Sequence, residues 1–124
     1  MGWSGIRGAI DVPQNDAEEI LSATGRLLQR MVDDNGIDVE QIESIVFSAT
    51  QDLDAAPPAK AARELGWLQT PFLCVQEMEV CGALPRCIRV LMHVETERPR
   101  SEIRHIYLGA AQSLRPDWVE GETI

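Results

Sequence analysis

The sequence has 124 residues, enough for one domain with a sizeable core and too few for two independent ones. Its 44% hydrophobic and 25% charged residues are close to globular averages, which excludes a disordered or fibrous chain. A formal net charge of −9 argues against a nucleic-acid or anionic-membrane surface, because those partners require a basic face. An acidic ligand would therefore need a locally positive pocket.

The sequence also argues against a membrane span and a metal site. It has no N-terminal basic segment followed by a long apolar run, and no uncharged apolar run of about eighteen residues. Cys74, Cys81 and Cys87 lack the paired short spacing of zinc ligands, and His93 and His105 do not complete such a site. We therefore expect a cytoplasmic protein with free thiols and no metal.

One long amphipathic helix is predicted near the N-terminus. It begins at Asn15 or Asp16, with acidic residues in its first turn, and apolar residues recur at helical spacing behind it. Asn35 and Gly36 stop the pattern, as expected of a helix C-terminus. The helix would have four to five turns.

A second, short helix is predicted from Pro58 to Leu65, because proline is tolerated in a first turn. Lys60 and Arg63 lie three residues apart in it, near one face. Both side chains are expected to face solvent or a ligand.

Five segments have the β-branched and apolar character of strands, bounded by glycine, proline and other turn formers. In the fourth, Ile88 and Val90 alternate with Arg89, so Arg89 should point away from the apolar face. The segments are residues 3–12, 42–48, 71–78, 87–95 and 103–108.

Strands and helices in this order predict an α+β fold with a five-stranded mixed sheet, one long helix and short helices, in a single domain of residues 1–124. One helix covers only one face of a sheet. The other face then needs a partner, which predicts an oligomer.

No nucleophile elbow, phosphate-binding glycine loop or histidine pair at metal spacing occurs in the sequence. Such a chain either binds a ligand passively or catalyses a reaction that needs only positioning and charge. The candidates for this task are Arg7, Glu77, Arg89 and Tyr107. Each alone could be an ordinary surface or core residue, but their placement on neighbouring strand segments favours a joint site.

Seven segments carry a resemblance to a known family: GIRGA at 5–9, SATQDL at 48–53, PAKAARE at 58–64, CVQEMEV at 74–80, RCIRV at 86–90, IRHIYL at 103–108 and LRPD at 114–117. In order and spacing they resemble the monofunctional, trimeric chorismate mutases of the α+β class. The resemblance implies conversion of chorismate to prephenate in phenylalanine and tyrosine synthesis, without a cofactor. It also implies a homotrimer with a pseudo-barrel centre and active sites between subunits.

The resemblance further implies roles for particular residues. Arg89 would stabilise the ether oxygen, Arg7 and Tyr107 would hold a substrate carboxylate, and Glu77 with Cys74 would take the ring hydroxyl. The other implied substrate-binding residues are Lys60 and Arg63 near the entrance, Leu73 and Leu114 as apolar lining, and Arg115 in a mobile tail of about residues 115–124.

Two points depart from a simple match. Pro57 stands where the family more often has an aromatic residue, which affects how the entrance loop closes. Strand alternation places Cys74 and Glu77 on opposite faces, so both line one site only if the strand bulges or the site wraps its end. Alternative functions are a trimeric carboxylate-binding or regulatory protein without turnover, and a purely structural interaction module.

Overall fold

The computed structural model describes residues 2–114 and contains one mixed five-stranded sheet, as the predicted α+β class requires. Its strands are β1 (Trp3–Asp11), β2 (Ile42–Ala49), β3 (Phe72–Gln76), β4 (Cys87–Glu95) and β5 (Ile106–Leu108). Its helices are α1 (Ala17–Asn35) and α2 (Ala59–Glu64), with 3-10 turns at Val39–Gln41, Arg100–Glu102 and Gly109–Leu114.

The strands lie side by side in the order β3-β2-β4-β1-β5. The central strand β4 is antiparallel to both β1 and β2. The two edge strands are parallel to their neighbours, β3 to β2 and β5 to β1. The first and last strands of the described residues, β1 and β5, are thus neighbours in the sheet.

The predicted long helix is confirmed, and its ends are set by local capping. The Asp16 side chain accepts a hydrogen bond from the backbone N–H of Glu19 at 3.0 Å. At the other end Gly36 is left-handed, with φ of 60°, and its N–H donates to the carbonyl of Asp33 at 3.2 Å. These contacts explain why the helix begins and ends where the sequence predicts.

The hydrophobic core lies between α1 and one face of the sheet. Ile20, Leu27, Leu28 and Met31 of α1 are fully buried against the inward side chains of the strands. A Cβ at Gly8 would lie 2.6 Å from the Met31 sulfur, so glycine at this position lets the side chains of α1 pack closely against β1.

Two strands are shorter than predicted. β3 ends at Gln76 instead of Met78, because the chain leaves the sheet once the Glu77 N–H has bonded the Ala49 carbonyl at 2.9 Å. β5 begins at Ile106 instead of residue 103, since the backbone N–H and carbonyl of Arg104 are bonded to the side chain of Asn35.

The second face of the sheet is covered only in part within residues 2–114. Leu73 and Val75 of β3 are 60% and 45% exposed there, although both are large and apolar. A smaller cluster of Ala9, Cys87, Tyr107 and Ala111 is buried under the last 3-10 helix. No helix of the described residues is long and apolar enough to cross a membrane.

We expect Leu27→Ala to lower the free energy of unfolding by about 2–5 kcal/mol, because it opens a cavity under a fully buried side chain. Ser22→Ala, at an exposed position of the same helix, is the control and should change stability by less than about 0.5 kcal/mol. Urea denaturation followed by circular dichroism measures both, and equal effects would contradict the assignment of the core.

Candidate active site

Four strands bring a row of side chains together on the second face of the sheet. Ser48 pairs with Arg89, Arg89 with Ala9, and Ala9 with Tyr107. Directly paired residues point to the same face, and adjacent strands are about 4.8 Å apart. Arg7, two residues before Ala9 on β1, points to this face as well.

An ion pair joins this row to the end of β3. Glu77 Oε1 lies 3.3 Å from Arg89 Nε, with the two side chains 25% and 32% exposed. The Ser48 hydroxyl donates to the same Glu77 oxygen at 2.7 Å. Glu77 is therefore held between a cation and a hydroxyl donor, at the point where the chain leaves the sheet.

Arg89 retains an unused donor. Its Nε has no accessible surface and no hydrogen-bond partner among residues 2–114, because the 3.3 Å approach to Glu77 lacks hydrogen-bond geometry. A buried charged donor without an acceptor is destabilising, so such a group in a native fold calls for an explanation. An anionic or ether oxygen of a ligand would supply the missing acceptor.

The arginines border a depression in the sheet surface. It has a volume of about 290 Å³, and its lining includes Arg7, Ser48 and Arg89 together with the apolar Val46 and Leu91. The arrangement offers two cations, a hydroxyl and apolar side chains over a sheet floor. It therefore suits a small anion with an apolar body.

Tyr107, at the end of this row, belongs to the smaller apolar cluster, and Leu114 packs against that cluster. Tyr107 is buried, and Leu114 is at the end of the last 3-10 helix. Asp11 anchors that helix, because its carboxylate accepts from the Ala110 N–H at 2.8 Å and Gly109 leaves room for it. Asp11 has no signal of this role in the sequence, since the contact joins opposite ends of the chain.

Cys87 lies next to the row, but its thiol is not a reactive group of the site. Burial raises the pKa of its thiol to about 11, and Glu77, Asp11 and Asp52 add to the increase while Arg89 opposes it. The thiol is therefore protonated at neutral pH and is a poor nucleophile.

Three predicted site residues lie on the helix side of the sheet. Cys74 pairs with Phe47, whose side chain is in the main core, and the β2–β3 register is continuous without a bulge. Lys60 and Arg63 are exposed on α2, which packs against α1. Within one chain these side chains do not meet Arg89.

The remaining predictions have different outcomes. Leu73 pairs with Val46 and points to the same face as Arg89. Pro57 is exposed at the start of α2, where its carbonyl accepts from the Lys60 N–H at 3.1 Å. Arg115 and the predicted mobile tail of residues 115–124 lie outside the described residues. Ser48 was missed as a site residue, although strand alternation alone could have placed it on the face of Arg89.

We expect Cys87 to react with iodoacetamide at pH 8 about a hundredfold more slowly than an ordinary thiol, because a pKa near 11 instead of 9.0 reduces its thiolate fraction by that factor. The exposed Cys81 is the internal control, and in denaturant the two rates should converge. Mass spectrometry of timed digests measures both rates, and equal labelling in the native protein would contradict the burial of Cys87.

Comparison with known proteins identifies the family. Residues 3–118 match the family model of Chorismate mutase type I. The chain is 48% identical over 114 residues to chorismate mutase AroH of Bacillus subtilis, covering 91% of this chain and 90% of that protein. It is 46% identical to chorismate mutase AroH of Thermus thermophilus, covering 91% and 93%. A solved chorismate mutase from Clostridium thermocellum superposes with a TM-score of 0.88 at 46% identity, covering 89% of this chain and 98% of that one. The chain belongs to the type I chorismate mutase family.

Proposed function

We infer that this chain is a chorismate mutase, an isomerase that converts chorismate to prephenate in phenylalanine and tyrosine biosynthesis. The family match over nearly the whole chain supports the activity. The buried Nε of Arg89, which has no hydrogen-bond partner among residues 2–114, is the structural observation that carries the mechanism. It is a fixed cationic donor on the face where Arg7 also points.

The reaction requires the protein only to position the substrate and to stabilise charge. One carbon–oxygen bond breaks as a carbon–carbon bond forms in the same molecule, with no required proton transfer and no covalent enzyme intermediate. Selection of the compact, chair-like conformer of the substrate is one source of acceleration. A site made of arginines and a carboxylate is sufficient for this chemistry, and we propose no cofactor.

Arg89 is the proposed catalytic residue. Negative charge grows on the ether oxygen as its bond to carbon stretches, so a fixed cation there stabilises the transition state more than the ground state. The ion pair with Glu77 holds the guanidinium in place before substrate arrives. Little reorganisation is then needed during the reaction.

The neighbouring residues are proposed to bind the substrate. Arg7 and Tyr107 hold a carboxylate, for which the arginine fork is well suited. Glu77 accepts the ring hydroxyl, together with Cys74. Ser48 donates to one oxygen of Glu77, which leaves the other oxygen available to the substrate. The Ser48 contact thereby orients the carboxylate.

We also propose a homotrimer with a pseudo-barrel centre and active sites between subunits. Lys60, Arg63 and Cys74 lie on the opposite side of the sheet from Arg89, so one chain cannot bring all of them to one ligand. A second copy could supply them, with Leu114 and Arg115 as further contacts. Burial of the exposed Leu73 face between subunits would favour such an assembly.

Two further proposals concern the chain as a whole. Residues 1–124 form a single domain, which the one sheet and main core of residues 2–114 support. The protein works in the cytoplasm, where the free thiols of Cys74, Cys81 and Cys87 would stay reduced.

We expect purified protein to consume chorismate and form prephenate, identified by its acid conversion to phenylpyruvate. Arg89→Lys should lower kcat about a hundredfold to a thousandfold, because lysine keeps the charge but lacks the Nε donor. The control is Arg100→Lys, at an exposed position remote from the site, which should retain wild-type kinetics.

Near wild-type turnover by Arg89→Lys would contradict the proposed role of Arg89. Binding of prephenate without turnover by the wild-type protein would favour the carboxylate-binding alternative. If the wild-type protein showed neither binding nor turnover, the structural-module alternative would be favoured. A thermal shift with prephenate measures the binding and so separates these cases.

Mixing of inactive variants tests the proposed intersubunit site. Arg89→Ala and the double variant Lys60→Ala/Arg63→Ala are denatured together and refolded. After mixing in equal amounts, about a quarter of all sites would combine unaltered Arg89 of one subunit with unaltered Lys60 and Arg63 of another, which is about one site in each mixed trimer. Activity should therefore rise above the mean of the two parents, and an unchanged mean would indicate sites within single subunits.

A further inference from the structure

A histidine ring contacts the backbone of one site residue. His105 lies immediately before β5, and its Nδ1 accepts a hydrogen bond from the backbone N–H of Arg7 at 3.0 Å. The parallel pairing of β5 with β1 begins one residue later, at Gly8 and Ile106. The imidazole thus takes the position that a strand carbonyl would otherwise occupy beside Arg7.

The backbone next to His105 is itself fixed by a buried side chain. Asn35, fully buried at the end of α1, accepts from the Arg104 N–H at 2.8 Å through Oδ1. Its Nδ2 donates to the Arg104 carbonyl at 2.9 Å and to the Met31 carbonyl at 2.8 Å. Two bonds from this amide therefore tie residue 104 to α1, the third fixes the amide on its own helix, and His105 follows directly.

We propose that His105 is a positioning residue for Arg7, an inference that rests on the proposed function. On one side β1 is paired with β4, where Arg7 stands opposite Leu91. On the other side the His105 ring holds the Arg7 N–H in place of a ladder bond. Loss of this acceptor frees the strand at the residue whose guanidinium binds the substrate carboxylate.

The contact sets the form of the ring. Because Nδ1 accepts a hydrogen bond, it carries no proton, and the proton of the neutral ring is on Nε2. Asparagine can place an amide oxygen close to the position of Nδ1 and so retain the acceptor. Leucine has similar bulk and retains no acceptor, which makes the two substitutions a matched pair.

The first test compares kinetics of His105→Leu and His105→Asn, after circular dichroism has established that both are folded. His105→Leu should lower kcat/KM at least about fivefold, mainly by raising KM, since an unpaired backbone N–H at Arg7 weakens ground-state and transition-state binding alike. His105→Asn should stay within about twofold of wild type, because the acceptor remains. Equal loss in both variants would overturn the proposal.

A double-mutant cycle separates positioning of Arg7 from a general effect on folding. In an Arg7→Ala background, His105→Leu should leave kcat/KM and the dissociation constant of prephenate unchanged. Full additivity of the two substitutions would show that His105 does not act through Arg7, and would overturn the proposal.

A spectroscopic measurement tests the His105 contact independently of the proposed activity. The ¹⁵N chemical shift of His105 Nδ1 should be that of an unprotonated, pyridine-like nitrogen in the wild-type protein, and a protonated Nδ1 would overturn the proposal. If the wild type turned over no chorismate, the proposed function would fail. The shift and the prephenate affinities of the same variants would then still decide whether His105 positions Arg7.

Discussion

The side chains of β4 point alternately into the apolar core and to the opposite face of the sheet, and the rest of the structure depends on this alternation. Ile88, Val90 and Met92 enter the core under α1, while Arg89 points to the opposite face. A slip of one residue would bury the guanidinium among apolar side chains and expose the core residues, at a large cost in free energy. Because β4 is the central strand, its register also places Ser48 and Ala9 beside Arg89.

Electrostatics in the site are local although the chain as a whole is acidic. Remote carboxylates are screened over about 8 Å at physiological salt, so the charges that matter are those on the second face of the sheet. Glu77 balances Arg89 there, and the same carboxylate raises the pKa of the neighbouring Cys87 thiol. The ion pair thus keeps a cation in place, while burial keeps the adjacent Cys87 thiol protonated, which suits a rearrangement that uses no nucleophile.

Polar side chains hold the backbone where strand pairing stops. Asn35 bonds both backbone groups of Arg104 just before β5, and His105 accepts from Arg7 just before the β1–β5 pairing begins. Asp11 does the same for the helix that follows β5. Each of these bonds satisfies backbone groups that the sheet leaves unpaired, and each adjoins a residue of the proposed site.

Features that depend only on neighbours along the chain could be predicted from the sequence. The bounds of α1 follow from Asp16 and Gly36, and the direction of Arg89 follows from alternation in β4. Where β3 ends, where β5 begins and which groups meet depend on the tertiary structure. Ser48 meets Glu77 across 29 positions of the sequence, and Arg7 meets His105 across 98. Periodicity and capping act within one or two turns, whereas these contacts exist only once the strands have paired.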